Sequence, residues 1–128
     1  MPEDDDVKSV LYVQSSGVDT PQRAATPFFL ASTAAAMDWE VGIYFTVRGP
    51  TLLKRGVAET LYVKGDEKGA PLRHFIDQAV DLGVKLMVCQ ASLDLNDLAM
   101  DDLIEGITMI GGASFNHYAA KASAVICF

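Results

Sequence analysis

Residues 41–47 read Val-Gly-Ile-Tyr-Phe-Thr-Val, and this run decides the fold class. Apart from the glycine, every side chain is β-branched or aromatic, and polar and apolar positions do not alternate. A strand of this composition is typical of a parallel sheet that is covered on both faces. Residues 84–89, Val-Lys-Leu-Met-Val-Cys, repeat the pattern with one lysine. Two buried strands therefore indicate an α/β protein.

Outward from these runs, strands alternate with helices along the chain. Strands are predicted at residues 7–13, 41–47, 84–89, 107–110 and 124–128. Helices are predicted at residues 22–37, 71–82 and 114–121, with short helical turns at 51–55 and 100–103. Such alternation implies right-handed crossovers between parallel strands. We predict an open, mostly parallel five-stranded sheet with helices on both faces.

The composition indicates one soluble domain. The sequence has 128 residues, half of them apolar, which is enough for a single core, and we assign it to residues 7–128. Residues 1–6, Met-Pro-Glu-Asp-Asp-Asp, are predicted to form an acidic flexible tail, unlike a secretory signal. The apolar stretch 27–37 is too short to span a bilayer. We expect a cytoplasmic protein that does not bind membranes.

The net charge argues against nucleic acids as partners. Seventeen acidic and ten basic residues give a formal charge of −7. This charge repels the phosphate backbone of nucleic acids, and no basic run offsets it. We expect no nucleic-acid partner.

The carboxyl ends of parallel strands meet at one edge of a sheet, where ligands bind. The polar and reactive residues that follow the predicted strands are Ser15, Ser16, Asp19, Arg48, Cys89, Gln90, Ser92, Gly111, Gly112 and Cys127. We expect the chemistry of the protein at this edge.

Cys89 is the candidate for the reactive group. It ends an apolar strand and is followed by the polar residues Gln90 and Ser92, so its thiol is expected at the margin of a cleft. Backbone N–H groups of the following turn, or Arg48 if it faces the same cleft, would stabilise the thiolate. The alternative is that Cys89 is a small buried hydrophobic residue.

The roles of Cys127 and of the Gly111-Gly112 pair remain open. Cys127 could be a second working thiol that resolves an oxidised or persulfidated Cys89, although a packing role is favoured. Gly111 and Gly112 lie between a strand and a helix, where an anion can bind; the alternative is that they let the two elements pack closely. No metal-ligand spacing such as Cys-x-x-Cys is present, so we expect no metal site.

The layout resembles a known family. Residues 17–28, Gly-Val-Asp-Thr-Pro-Gln-Arg-Ala-Ala-Thr-Pro-Phe, follow the first strand, and an Ala-rich helix, the strand 41–46 and Gly49-Pro-Thr-Leu-Leu-Lys54 come next. In the second half, a strand ends in a cysteine followed closely by a serine, and Ile110-Gly-Gly-Ala-Ser-Phe115 leads into the last helix. These segments resemble the DsrE/DsrF-like (YchN-like) sulfur-relay family.

The resemblance implies a homo-oligomer, commonly a trimer or hexamer, that carries sulfane sulfur as a persulfide on Cys89. Sulfur donor and acceptor proteins would be its partners, and no cofactor is required. An apolar helix over residues 27–37 also suggests self-association. Two alternatives stay open: a non-catalytic oligomeric module that binds a small anion or nucleotide near Gly111, and a thiol peroxidase-like protein.

Overall fold

A computed structural model describes residues 7–65 and 67–128. The predicted acidic tail, residues 1–6, lies outside the described residues. Five strands form one sheet: β1 (Ser9–Gln14), β2 (Glu40–Phe45), β3 (Lys85–Val88), β4 (Ile107–Met109) and β5 (Ala124–Cys127). Their spatial order is β4-β3-β2-β1-β5, and all neighbouring pairs are parallel. The predicted α/β architecture is confirmed.

Four α-helices connect the strands: α1 (Ala25–Ala36), α2 (Leu72–Asp81), α3 (Gln90–Leu95) and α4 (Gly112–Lys121). Short 3₁₀ helices cover Pro21–Arg23, Gly49–Leu53 and Met100–Asp102. The helix predicted from residue 22 therefore starts as a separate 3₁₀ turn, and Thr20 forms no side-chain cap. Pro27 lies in the first turn of α1, where the missing N–H of proline breaks no helical bond.

The helices lie on both faces of the sheet for a topological reason. From β1 to β4 the chain steps across the sheet in one direction, and α1 and α2 pack together on one face. The connection from β4 to β5 runs back across the whole sheet, so a right-handed crossover places α4 on the opposite face. There Phe115, Ala119 and Ala122 pack against Leu11, Tyr44 and Met87.

The main core lies between the sheet and α1. Phe28 of α1 and Phe45 of β2 are fully buried, with ring centroids 5.7 Å apart. Leu93 of α3 belongs to the same core, so the chain that leaves β3 turns towards the α1 face. The chain that leaves β4 turns the other way, into α4.

The described residues between Gly56 and Gly69, 57–65 and 67–68, form turns and irregular structure. Ala58 among them is fully buried, and an isolated antiparallel bridge pairs Tyr62 with Pro71. The start of this loop is thus packed against the core.

No helix in the described residues is long and apolar enough to cross a membrane.

Candidate functional site: a cysteine cleft between two diverging strands

A cleft opens between the carboxyl ends of β3 and β4. It has a volume of about 540 Å³ and is lined by Tyr44, Cys89, Gln90, Ala91, Met109, Ile110, Gly111 and Gly112. The chain diverges here, since the connection after β3 goes to one face and the connection after β4 goes to the other. Such a divergence leaves a crevice at the sheet edge, which is where ligands bind in open α/β sheets.

Cys89 is placed in this cleft by the end of β3. It has an extended backbone and occupies the N-cap position of α3, without a side-chain hydrogen bond that caps the helix. The side chain is partly exposed and packs beside Tyr44 and Met87. Cys89 is therefore accessible from the cleft and is not a fully buried core residue.

Hydrogen bonds surround the sulfur. The Sγ of Cys89 lies 3.3 Å from the hydroxyl oxygen of Ser92. Burial raises the pKa of the Cys89 thiol, but hydrogen bonds from the Ser92 and Tyr44 hydroxyls and from the N–H groups of Ser92 and Ala91 outweigh burial and lower it. Donors that stabilise the thiolate are the condition under which a cysteine becomes reactive.

Tyr44 is a site residue that the sequence analysis missed. Its ring is buried on the α4 face and stacks on Phe115, with centroids 4.4 Å apart. Burial, and then the neighbouring Cys89, raise the pKa of Tyr44 to about 12. The phenol therefore keeps its proton at neutral pH and acts as a donor. The available signal was a hydroxyl within an otherwise apolar strand, because a buried tyrosine needs a polar partner.

Thr46 was missed as well. It follows β2 directly, and its hydroxyl oxygen lies 3.1 Å from the Ser92 hydroxyl oxygen. Thr46 and Ser92 therefore connect the end of β2 to the sulfur of Cys89.

The structure brings several predicted residues to the cleft. Gln90, Gly111 and Gly112 line it beside Cys89, and the Gln90 amide donates to Asp94 at 2.8 Å. A Cβ on either glycine would meet no atom within 4 Å. Close packing is therefore not the reason for these glycines, and a larger side chain here would occupy the cleft itself.

Arg48 does not line the cysteine cleft. It lies in a neighbouring cleft with Lys54 and Asn96, and its Nη1 donates to Asn96 Oδ1 at 2.6 Å. The cause is the turn after β2, where Val47 has a positive φ of 54° and its carbonyl accepts from the Asn96 amide at 2.6 Å. This turn directs Arg48 towards Asn96, so the guanidinium does not lie beside Cys89.

Ser15 and Ser16 lie at a different part of the same sheet edge. The Ser15 hydroxyl donates to the Phe128 carbonyl at 2.7 Å, which ties the end of β1 to the end of the chain. The Ser16 carbonyl accepts from the buried Gln14 amide at 2.9 Å. Their contacts here are structural.

Cys127 lies far from Cys89. It pairs with Val13 on the edge strand β5, and β1 and β2 separate β5 from β3. Because neighbouring strands are about 4.8 Å apart, three steps separate the two cysteines by about 14 Å. A disulfide requires Cα atoms within about 7 Å, so Cys127 cannot resolve Cys89 within one chain without a large rearrangement.

Among the described residues, the lining of the cleft includes no lysine, arginine, histidine or acidic side chain. Within residues 7–65 and 67–128, no group of three or more His, Cys, Asp or Glu side chains is placed to hold a metal ion. The arrangement supports thiolate chemistry in a mainly apolar cleft with hydrogen-bond donors at the sulfur.

Known proteins of similar sequence show the family of this chain. Residues 8–128 match the DsrE/DsrF-like family. The chain belongs to this family. It is 27% identical to the sulfur carrier protein DsrE2 of Allochromatium vinosum, an alignment that covers 77% of this chain and 86% of that protein. An uncharacterised protein of Methanocaldococcus jannaschii is 22% identical over 90% of this chain and 41% of its own length.

The fold of this DsrE/DsrF-like chain is also similar to a solved structure. The ychN protein of E. coli superposes with a TM-score of 0.68 at 15% identity, covering 95% of this chain and 99% of that one. This likeness concerns the fold. Membership of the family supports sulfur relay at the level of the family as a whole.

Proposed function

We propose that this protein is a sulfur carrier that holds sulfane sulfur as a persulfide on Cys89 and passes it to an acceptor thiol. The observation that carries the proposal is a partly exposed thiol with a lowered pKa in the cleft between β3 and β4. Membership of a family that includes a sulfur carrier protein supports it.

The proposed transfer has two balanced steps. The Cys89 thiolate attacks the outer sulfur of a persulfide donor, the donor S–S bond breaks, and the donor leaves as a thiolate with both electrons of that bond. Cys89 now carries the sulfane sulfur. An acceptor thiolate then attacks the outer sulfur, and Cys89 leaves as a thiolate. Neither step needs a cofactor, because one S–S bond replaces another.

The site favours both steps of the transfer, the attack by the Cys89 thiolate and its later departure. A thiolate is the attacking group in the first step and the leaving group in the second, so donors that stabilise charge on sulfur assist both. Ser92, Tyr44 and two backbone N–H groups are such donors. The volume of the cleft leaves room for a donor or acceptor larger than a sulfide ion.

Mass spectrometry of the intact protein tests the proposal. After incubation with inorganic polysulfide, we expect an added mass of one sulfur atom, removed by dithiothreitol. A protein that gains no sulfur while its Cys89 is readily alkylated would refute the carrier function. The expected alternatives would then be the anion-binding module, detected by calorimetry with phosphate or a nucleotide, and peroxidase activity.

Gly112→Leu should narrow the cleft without unfolding the protein. The position is the first residue of α4 and a Cβ there meets nothing within 4 Å, so a leucine fits the backbone and enters the cleft. We expect alkylation of Cys89 by a bulky maleimide to slow on the order of tenfold while iodoacetamide still reacts, because misplacement of a reactant is costly. The matched control is Ala120→Leu, an exposed position on the same helix. Equal slowing by both reagents would contradict the steric explanation.

We also propose that the protein assembles as a homo-oligomer, with a trimer or hexamer as the expected size. Strand β5 is an exposed edge strand of apolar residues without charge or proline, and Val125 and Ile126 on it are exposed. Such an edge is normally covered. Phe29 of α1 and Met37, which follows the last residue of that helix, add exposed apolar area. Light scattering at micromolar concentration should give a multiple of the monomer mass, and a monomer would contradict the prediction.

A cytoplasmic location and transfer between sulfur donor and acceptor proteins complete the proposal. Both cysteines are free, as a carrier in a reducing compartment requires.

A further inference from the structure

Two hydroxyl groups form a chain that leads from the neighbouring strand to the reactive sulfur. Thr46 Oγ1 lies 3.1 Å from Ser92 Oγ, and Ser92 Oγ lies 3.3 Å from Cys89 Sγ. Ser92 is 5% exposed, so water has little access to its hydroxyl. Within residues 7–65 and 67–128, neither hydroxyl has another hydrogen-bond partner.

Hydrogen bonds to backbone groups hold both Thr46 and Ser92 in place. The Thr46 N–H donates to the Gln14 carbonyl at 3.0 Å, which continues the pairing between β2 and β1. On the other side, the Asn96 amide donates to the Ser92 carbonyl at 2.7 Å and to the Val47 carbonyl at 2.6 Å. Asn96 therefore ties α3 to the turn that follows Thr46. The two hydroxyls are held together by elements on both sides.

The number of hydroxyl protons decides the direction of each hydrogen bond between Thr46, Ser92 and Cys89. Ser92 has one hydroxyl proton, and when Cys89 is a thiolate the favourable arrangement donates that proton to sulfur. The Ser92 oxygen is then an acceptor, and Thr46 is placed to donate to it. A serine within a helix otherwise tends to donate to a carbonyl three or four residues earlier. Thr46 favours the rotamer in which Ser92 faces the sulfur.

We propose that Thr46 is a positioning residue for Cys89: it donates to Ser92 and so keeps the Ser92 hydroxyl donated to the charged sulfur. The lowered pKa of Cys89, to which the Ser92 hydroxyl contributes, agrees with this role. The biological meaning of the role rests on the proposed carrier function. Its effect on the thiolate can be measured without any sulfur transfer.

The test is the pH profile of Cys89 alkylation by iodoacetamide. All variants carry Cys127→Ser, so that one thiol is observed. Thr46→Val removes the hydroxyl and keeps the shape. We expect the midpoint of the profile to rise and the rate at neutral pH to fall about threefold to tenfold, the range for loss of one hydrogen bond. The rate at high pH, where every thiol is ionised, should not fall, because a thiolate of higher pKa is at least as nucleophilic.

Controls separate positioning from a general structural effect. Thr46→Ser keeps the hydroxyl and should restore the midpoint. Thr33→Val removes a threonine hydroxyl on α1 that donates to the Phe29 carbonyl at 3.0 Å, and should not move it. Circular dichroism and urea unfolding check the fold, and Thr46→Ala replaces Thr46→Val if the valine variant does not fold.

A double-mutant cycle with Ser92→Ala tests whether Thr46 acts on Cys89 through Ser92. If Thr46 acts through Ser92, Thr46→Val should add little to the midpoint shift caused by Ser92→Ala alone. An unchanged midpoint in Thr46→Val, or fully additive shifts, would overturn the proposal. If the midpoint shifts as expected but the unaltered protein takes up no sulfur from polysulfide, Thr46 positions the thiol and the carrier function is what fails.

Discussion

Replacing Cys89 with serine is expected to abolish the uptake of sulfur from polysulfide, because serine has no sulfur to form a persulfide. The variant should fold normally. Cys89 occupies the N-cap of α3, and serine is among the preferred residues at that position. Uptake is measured by intact mass with and without dithiothreitol, and the urea midpoint of each variant checks that the fold is kept.

Cys127→Ser is the matched control for this loss. Cys127 is exposed on the edge strand β5, about 14 Å from Cys89 by the spacing of strands. We expect the variant to take up one sulfur atom as the unaltered protein does, and to release it to dithiothreitol. If Cys89→Ser still loads sulfur and Cys127→Ser does not, the assignment of the two thiols is reversed and the proposed site is wrong.

Phe28→Ala should destabilise the protein by about 3–5 kcal/mol, the range for truncation of a buried phenylalanine. The Phe28 ring is 0% exposed and stacks against Phe45 in the core between α1 and the sheet. Alanine would leave a cavity there that the neighbouring rings fill only in part. Because a domain has about 5–15 kcal/mol of total stability, this change should shift the urea midpoint strongly.

The adjacent residue provides the control. Phe29 undergoes the same chemical change in Phe29→Ala, but its side chain is 59% exposed. We expect a change of about 0.5 kcal/mol or less. Both variants are compared at one protein concentration, since assembly contributes to stability. A large loss in Phe29→Ala with a smaller assembled mass would place Phe29 in a subunit interface, whereas equal losses without a change in mass would contradict the assignment of the core.

Phe28 is buried and its neighbour Phe29 is exposed, a difference that the sequence pattern of this helix does not predict. The helix is apolar on nearly every side, so the sequence gives no preferred face. The sheet and α2 decide that Phe28 points inward. In α2 the helical spacing predicts an inward face with Leu72, Phe75, Ile76, Ala79 and Val80. Leu72, Ile76 and Ala79 are buried, whereas Val80 is 47% exposed.

The position of Arg48 shows the same limit at the site. The sequence places Arg48 after β2 and hence at the correct edge of the sheet. The direction of its side chain depends on the positive φ of Val47 and on Asn96, which comes from a distant part of the chain. Such contacts between strand ends cannot be deduced from spacing along the sequence.

Local patterns determined the strands, the amphipathic helix α2 and the position of Cys89 at the carboxyl end of β3, because these depend on side-chain periodicity and on the direction of parallel strands. The tertiary structure decided the order of the strands, which separates Cys127 from Cys89 and opens the cleft between β3 and β4. It also decided that Tyr44 lies beside the sulfur and that Thr46 reaches Ser92. Tyr44 and Thr46 are distant in sequence from Cys89 and Ser92, and the pairing of β2 with β3 brings them together.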